Sequence, residues 1–419
     1  MFTSRDFKTL LLLAASLLVL QADALAQSGR REPARSPVPP LSPAPAPTPT
    51  DYTHYDKVKV VVSRGIEEFV KALNEQGRLG YRLEKTVGYG DPKESQTFAA
   101  VLHLDPGHRY DYFSGSMPED ARYGEPLNYD ARRGYTLAHA YAITQCRQVD
   151  VYDPHDPPGS TARQETQMVK WNVLLFMRRD AAETQTKEYR VFKGLFALDG
   201  GQKNELQAAL DAAPQGFRPV RLLFSSAGPF NFNVTVVAER DLNESAPPKV
   251  EYQLVKEVFG FEDEVNRLAA AGSRYVVGGR HELVKIALLE RQAGGSAAYT
   301  FKDGHQHRKE FPRMLAAGNS YVGLMADVRS CNSSEVVGQK LVFGRDAGGD
   351  PAREFKILEI ADHKAAKRPG VLSGATASEL QRLLADGFRV RDFFYSHGLY
   401  AILEKQAASP APRTQTGER

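Results

Sequence analysis

A short amphipathic stretch that ends on glycine and restarts as a strand recurs along this chain, and that recurrence limits the possible folds more than any other feature. It is clearest at residues 204–222, NELQAALDAAPQGFRPVRL. Leu206, Ala209, Leu210 and Ala213 fall at i, i+3, i+4 and i+7, which puts one apolar stripe on a helix. Gly216 then ends the helix, because a left-handed backbone costs glycine nothing, and Phe217, Arg218 and an apolar run follow. The flanking runs 189–197 and 233–239 read as strands, so one unit is strand, helix, strand, strand.

The same order is found five more times. Strong copies carry Ile66, Phe69, Val70 and Leu73 before Gly80-Tyr81-Arg82-Leu83, then Val265, Leu268 and Ala269 before Gly272-Ser273-Arg274-Tyr275. A third has a Thr376/Glu379 capping box and Leu380, Leu383 and Leu384 before Gly387-Phe388-Arg389-Val390. Weaker copies end their helices at Gly134-Tyr135 and Gly318-Asn319. The expected units are about 55–105, 109–180, 187–241, 249–292, 297–346 and 353–406. They group as a first half, 51–241, and a related second half, 249–406, joined at 245–248. The expected fold class is therefore α+β: tandem βαββ two-layer units, each an antiparallel sheet covered by one helix. Such a unit is too small to bury both faces of its sheet, so the open face must pack on a neighbouring unit.

Glu188-Tyr189-Arg190-Val191, Glu251-Tyr252-Gln253-Leu254 and Glu354-Phe355-Lys356-Ile357, each followed by a helix and a glycine step, resemble a family of small bacterial βαββ domains of unknown function. That family has a strand of the EYKVV type, a GWxL step and a strand ending FKR. Tyrosine or phenylalanine stands here in place of its tryptophan. The resemblance implies a fold and no activity.

Before the repeats, Arg5 and Lys8 precede an apolar run at 10–20, and Ala24-Leu25-Ala26 offers a cleavage site. This is the pattern of a secretory signal peptide, 1–26, cleaved after Ala26, and it makes the mature protein exported, periplasmic or secreted. The run is shorter than the roughly 20 residues a bilayer span needs, so no transmembrane segment is expected in the mature chain. Residues 27–50 are proline-rich and read as a semi-rigid spacer; 407–419 read as a disordered tail. A net charge of +3 over 419 residues, with no basic stripe, gives no ground for a nucleic-acid partner.

Few residues stand out as chemical. Arg82, Arg218, Arg274 and Arg389 recur two places after the glycine; they either line a recurrent anion site or point outward to pair with carboxylates. Cys146 and Cys331 are the only cysteines, at corresponding places in the two weak units. In an oxidising compartment they form either a disulfide or two inert buried thiols. His305 with His307, and His103, Asp105 and His108, are spaced as surface-loop groups rather than zinc ligands. The excursion 147–167 has no counterpart of equal length in the second half, and inserted loops often carry binding. No nucleophile elbow, P-loop or dinucleotide fingerprint is present, and no catalytic residue, metal or cofactor is assigned. The expectation is a non-enzymatic interaction scaffold of the cell envelope with a protein or envelope component as partner; the alternative is a small-molecule binder or enzyme with a pocket between packed units.

Overall fold

The computed structural model describes residues 58–406 apart from 91–95, 118–123, 152–162, 181–183, 198–202, 215, 228–230, 244–249, 282, 292–295, 329–336, 347–352 and 373–374. The proposed signal peptide, spacer, joint and tail lie outside the described residues. In chain order the elements are β1 (Val58–Arg64), α1 (Ile66–Arg78), β2 (Tyr81–Tyr89), β3 (Thr97–Leu104), β4 (Tyr110–Ser116), α2 (Glu125–Arg132), β5 (Thr136–Val151) and β6 (Arg163–Arg179). They continue with β7 (Lys187–Ala197), α3 (Lys203–Asp211), β8 (Arg218–Ser226), β9 (Asn231–Asp241), β10 (Glu251–Glu257), α4 (Phe261–Ala270), β11 (Ser273–His281) and β12 (Val284–Arg291). The remainder is β13 (Ala297–Asp303), α5 (His307–Ala316), β14 (Ser320–Val328), β15 (Val337–Asp346), β16 (Arg353–Asp362), α6 (His363–Ala366), β17 (Gly370–Leu372), α7 (Ala375–Ala385), β18 (Arg389–Tyr395) and β19 (Gly398–Gln406).

The class is α+β. Where a helix separates a first strand from two later ones, the third strand lies between the other two, as in β1-β3-β2, β4-β6-β5, β7-β9-β8 and β16-β19-β18. A β–α–β–β chain reaches that order because the helix carries the backbone across the sheet while the last two strands close as a hairpin. The helices end on Gly80, Gly134, Gly216, Gly272, Gly318 and Gly387, whose φ values lie between 80° and 96°. That is the left-handed conformation for which glycine is suited.

Three expectations need correction. The sheets do not all stay three-stranded and separate: β11 pairs in parallel with β14, giving a six-stranded sheet β10-β12-β11-β14-β15-β13. The last segment also sends β17 back to pair with β1 through Val60 and Leu372, which covers an otherwise open edge. The excursion 147–167 is in part strand, since β5 and β6 stay in register to Val151 and Arg163; its tip lies outside the described residues. Thr376 lies inside α7 rather than ahead of it, and Glu379 accepts from Arg382 at 2.7 and 2.8 Å. Cys146 stands on β5 opposite Met168. Cys331, and with it the expected bond to Cys146, lies outside the described residues.

Among the described residues the buried apolar side chains gather in six cores, each joining one segment's helix layer to the open sheet face of the next. Phe69, Leu73 and Leu83 meet Tyr112, Tyr141 and Leu175; Leu127 and Phe176 meet Tyr189 and Val237; Leu206 and Phe217 meet Leu254 and Ile286. Val265 and Tyr275 meet Tyr299 and Val342, and Phe311 and Phe343 meet Phe355 and Ile402. The last core returns to the start, with Leu380, Leu384 and Phe388 against Val60, Val62 and Val101. Among the described residues the circuit therefore closes on itself.

Two polar devices repeat at these junctions. A helix amide binds both backbone groups of the next segment's edge strand, as another strand would. Asn74 holds Tyr112 N–H and C=O at 2.8 Å each, Asn128 holds Tyr189 at 2.7 and 2.9 Å, and Asn266 holds Tyr299 at 2.6 and 3.0 Å. Gln207 does the same across Tyr252 and Leu254. The hydroxyl of the clamped tyrosine then accepts a backbone N–H from the preceding segment's second strand: Leu83 to Tyr112, Leu137 to Tyr189 and Tyr275 to Tyr299, at 2.8 to 3.0 Å. At the fourth junction the corresponding residue is Pro219, which has no N–H, and the buried Tyr252 hydroxyl has no partner.

Candidate functional site

The second strands β2, β5, β8, β11, β14 and β18 touch one another in succession, and β18 touches β2, so they surround a common centre. Each carries one extra residue at the same place. The register skips between Leu83 and Lys85, Leu137 and His139, Pro219 and Arg221, Tyr275 and Val277, Tyr321 and Gly323, and Val390 and Asp392. An extra residue reverses the alternation of side chains, so the residue after it turns to the face away from that segment's own helix. The six residues so turned are Lys85, His139, Arg221, Val277, Gly323 and Asp392.

All six are half-buried. His139, Arg221 and Asp392 are nonetheless deep enough that burial is the largest influence on their ionisation. Half-burial together with strong desolvation places these side chains around the centre that the second strands surround. At Gly323 a Cβ would meet nothing within 4 Å, so there is open space beside that strand.

These groups respond to one another. Burial, then the charges of Arg221 and Lys85, pushes the His139 imidazole well below its usual 6.5 and keeps it neutral at pH 7. Burial lowers Arg221 and raises the Asp392 carboxyl, while Lys85, the Tyr321 hydroxyl, Arg391 and Arg221 pull Asp392 back. Tyr321 donates to Asp392 Oδ2 at 2.8 Å. Arg221 donates through Nη1 to Val220 C=O at 2.8 Å and through Nη2 to Ala138 C=O at 3.3 Å, while its buried Nε has no partner. The His139 ring lies 4.7 Å from that of Tyr141, whose hydroxyl meets Thr86 Oγ1 at 2.6 Å.

The residues singled out from sequence lie elsewhere. Arg82, Arg218, Arg274 and Arg389 are exposed on four different sheets, three of them opposite Glu239, Glu290 and Glu404 on the neighbouring strand and Arg82 opposite His103. His103 pairs with Glu84 at 2.9 Å, His108 with Asp180, and Asp105 with the Tyr110 hydroxyl. His305 meets Ser396 Oγ at 3.0 Å, and His307 bonds Gly304 C=O at 2.7 Å beneath Tyr400. Among the described residues no three His, Cys, Asp or Glu side chains are grouped as a metal site. A cleft of about 690 Å³ lies between α3, β10 and α4, but its Gln207 is already committed to the strand clamp. The central residues could have been found by counting five places from each helix-ending glycine, which gives Lys85, His139, Arg221, Val277, Gly323 and Asp392.

No protein-family model matches this chain, and no curated protein matches it. Among the described residues no helix is long and apolar enough to cross a membrane.

Proposed function

We propose that this is an exported binding protein, built of six tandem βαββ units in two related halves, which holds a small polar molecule at the centre of its second strands. The observation that carries this is the convergence of Lys85, His139, Arg221 and Asp392 on one register position in four different segments. A scaffold that used only its outer surfaces would gain nothing from burying four ionisable groups together, because each has a desolvation cost that only a partner offsets. Export rests on the pattern of residues 1–26. In that compartment a disulfide between Cys146 and Cys331 is the expected pairing of the two cysteines.

A thermal-shift screen of the mature protein with small anions, cations and neutral polar molecules tests this reading, alongside Gly323→Val. A Cβ at that position meets nothing within 4 Å, so the added side chain projects into open space. At least one compound should raise the melting temperature of the native protein and fail to raise that of the variant. A screen in which every hit acts equally on both proteins would refute a central site.

A further inference from the structure

The first strand of each segment has an outer edge, and five of the six edges are held. Helix amides hold β4 at Tyr112, β7 at Tyr189, β10 at Tyr252 and Leu254, and β13 at Tyr299, while β17 pairs with β1 at Val60, Val61 and Val62. The sixth is β16. Its Phe355 stands where Tyr112, Tyr189 and Tyr299 stand, third in its strand and opposite the residue two places before the end of the partner strand. Its N–H and C=O therefore point to the outer edge, as theirs do. The clamping asparagines Asn74, Asn128 and Asn266 lie six places before the glycine that ends their helix; six places before Gly318 is Pro312, which has no amide to offer. Among the described residues no group outside the β19 ladder bonds the Phe355 backbone. An unpaired strand edge is a template for another strand.

The charges along this edge match a second copy of it. Glu354 and Lys356 flank Phe355, both exposed, with their charged ends 3.2 Å apart. Two β16 edges paired antiparallel about a two-fold axis at Phe355 set Glu354 opposite Lys356 of the second copy and Lys356 opposite its Glu354, so that four charges alternate in sign. An axis at Arg353, Glu354 or Lys356 would set like charges face to face, and one at Ile357 would pair no charges at all. We infer that two copies of this chain associate through β16 in the register centred on Phe355, which joins two β16-β19-β18 sheets into one of six strands. The central site plays no part in this association. The Lys356 ammonium also lies 4.6 Å over the Phe388 ring, so reversing its charge disturbs a contact within the chain, and the test needs a variant pair that separates the two effects.

The test is sedimentation equilibrium of the full mature chain at low ionic strength, where exposed charges are least screened. The native chain should show a reversible monomer–dimer equilibrium in the micromolar range, as suits a short interface. Glu354→Lys and Lys356→Glu each set like charges across the axis and should weaken association about tenfold or more. Mixed in equal amounts, the two variants are complementary to each other and should associate about as tightly as the native chain does. Loss of the Phe388 contact alone would not be repaired by mixing. If one single variant does not fold, the double variant Glu354→Lys/Lys356→Glu, which is again self-complementary, carries the test by dimerising like the native chain. A monomer at every concentration, a dimer that either reversal leaves intact, or weakened variants that recover neither on mixing nor in the double variant overturns the inference.

Discussion

Replacing the clamped tyrosines with phenylalanine, one at a time, separates two contributions that sequence alone treats as equivalent. Tyr112, Tyr189, Tyr252 and Tyr299 are all buried first-strand residues, and each substitution removes a single oxygen. At Tyr189 the lost hydroxyl accepts the Leu137 N–H at 2.8 Å, and at Tyr299 it accepts the Tyr275 N–H at 3.0 Å. Those amides stand next to the extra residue of a strand, where the ladder is interrupted, so phenylalanine leaves a buried N–H without an acceptor. The expected loss is about 1 to 3 kcal/mol at each site. Tyr112→Phe falls at the upper end, since its hydroxyl also donates to Tyr81 C=O at 3.2 Å. Tyr252 differs because Pro219 supplies no N–H and the hydroxyl, 5% exposed with its residue, is unpartnered. There the same change removes a desolvated group that gains nothing, so stability should stay level or rise by up to about 1 kcal/mol. Urea unfolding followed by tyrosine and tryptophan fluorescence reads the difference as a shift in midpoint at constant slope. If Tyr252→Phe proves as destabilising as Tyr189→Phe, the hydroxyl-to-strand bond is not what holds these junctions.

Other perturbations address the rest of the structure. Asn128→Ala strips both backbone groups of Tyr189 of their partner and should cost about 2 to 4 kcal/mol in the same urea assay, more than an exposed asparagine on the same helix would. His139 is held below its usual pKa by burial, Arg221 and Lys85, so below about pH 6.5 the unfolded chain binds a proton that the folded chain does not. Stability should then fall as pH drops from 7 toward 5.5, by at most about 1.4 kcal/mol per unit, and His139→Gln should flatten that part of the profile. Asp392 has the opposite sign: burial raises its pKa, so the charged form costs stability above the folded pKa. Asp392→Asn should therefore stabilise the unliganded protein at pH 7 and lose that advantage as pH approaches 4, measured by thermal melts across the range. Non-reducing peptide mapping should recover Cys146 linked to Cys331, with reduction lowering stability by about 4 kcal/mol or less; two alkylatable thiols in the native protein would exclude the bond.

Much of the local structure was legible because it depends on neighbours in the chain. Leu206, Ala209 and Leu210 mark the buried side of α3, and the glycine at the end of each such stripe takes the positive φ that a chain reversal there requires. The sequence also shows that no such segment can cover its own sheet. It does not show how far the strands run: β5 and β6 continue through what reads as a loop, because the pairing of Arg147 with Gln167 is a long-range choice. The joining of β11 to β14 and of β1 to β17 is likewise set by which edges meet once the circuit has closed.

What the residues determined by themselves is the unit of construction: a helix of fixed stripe, a glycine stop, and strands whose open face must find another segment. What tertiary structure decided is which side chains share the centre. Simple alternation would put Glu84 and Arg391 on a different face from Lys85 and Asp392, but the choice of inward residue turns on one extra residue per strand. A fixed distance from the glycine marks the position in the sequence, but that the chain turns inward there is a register skip, a relation between two strands that shows only in their pairing across the sheet.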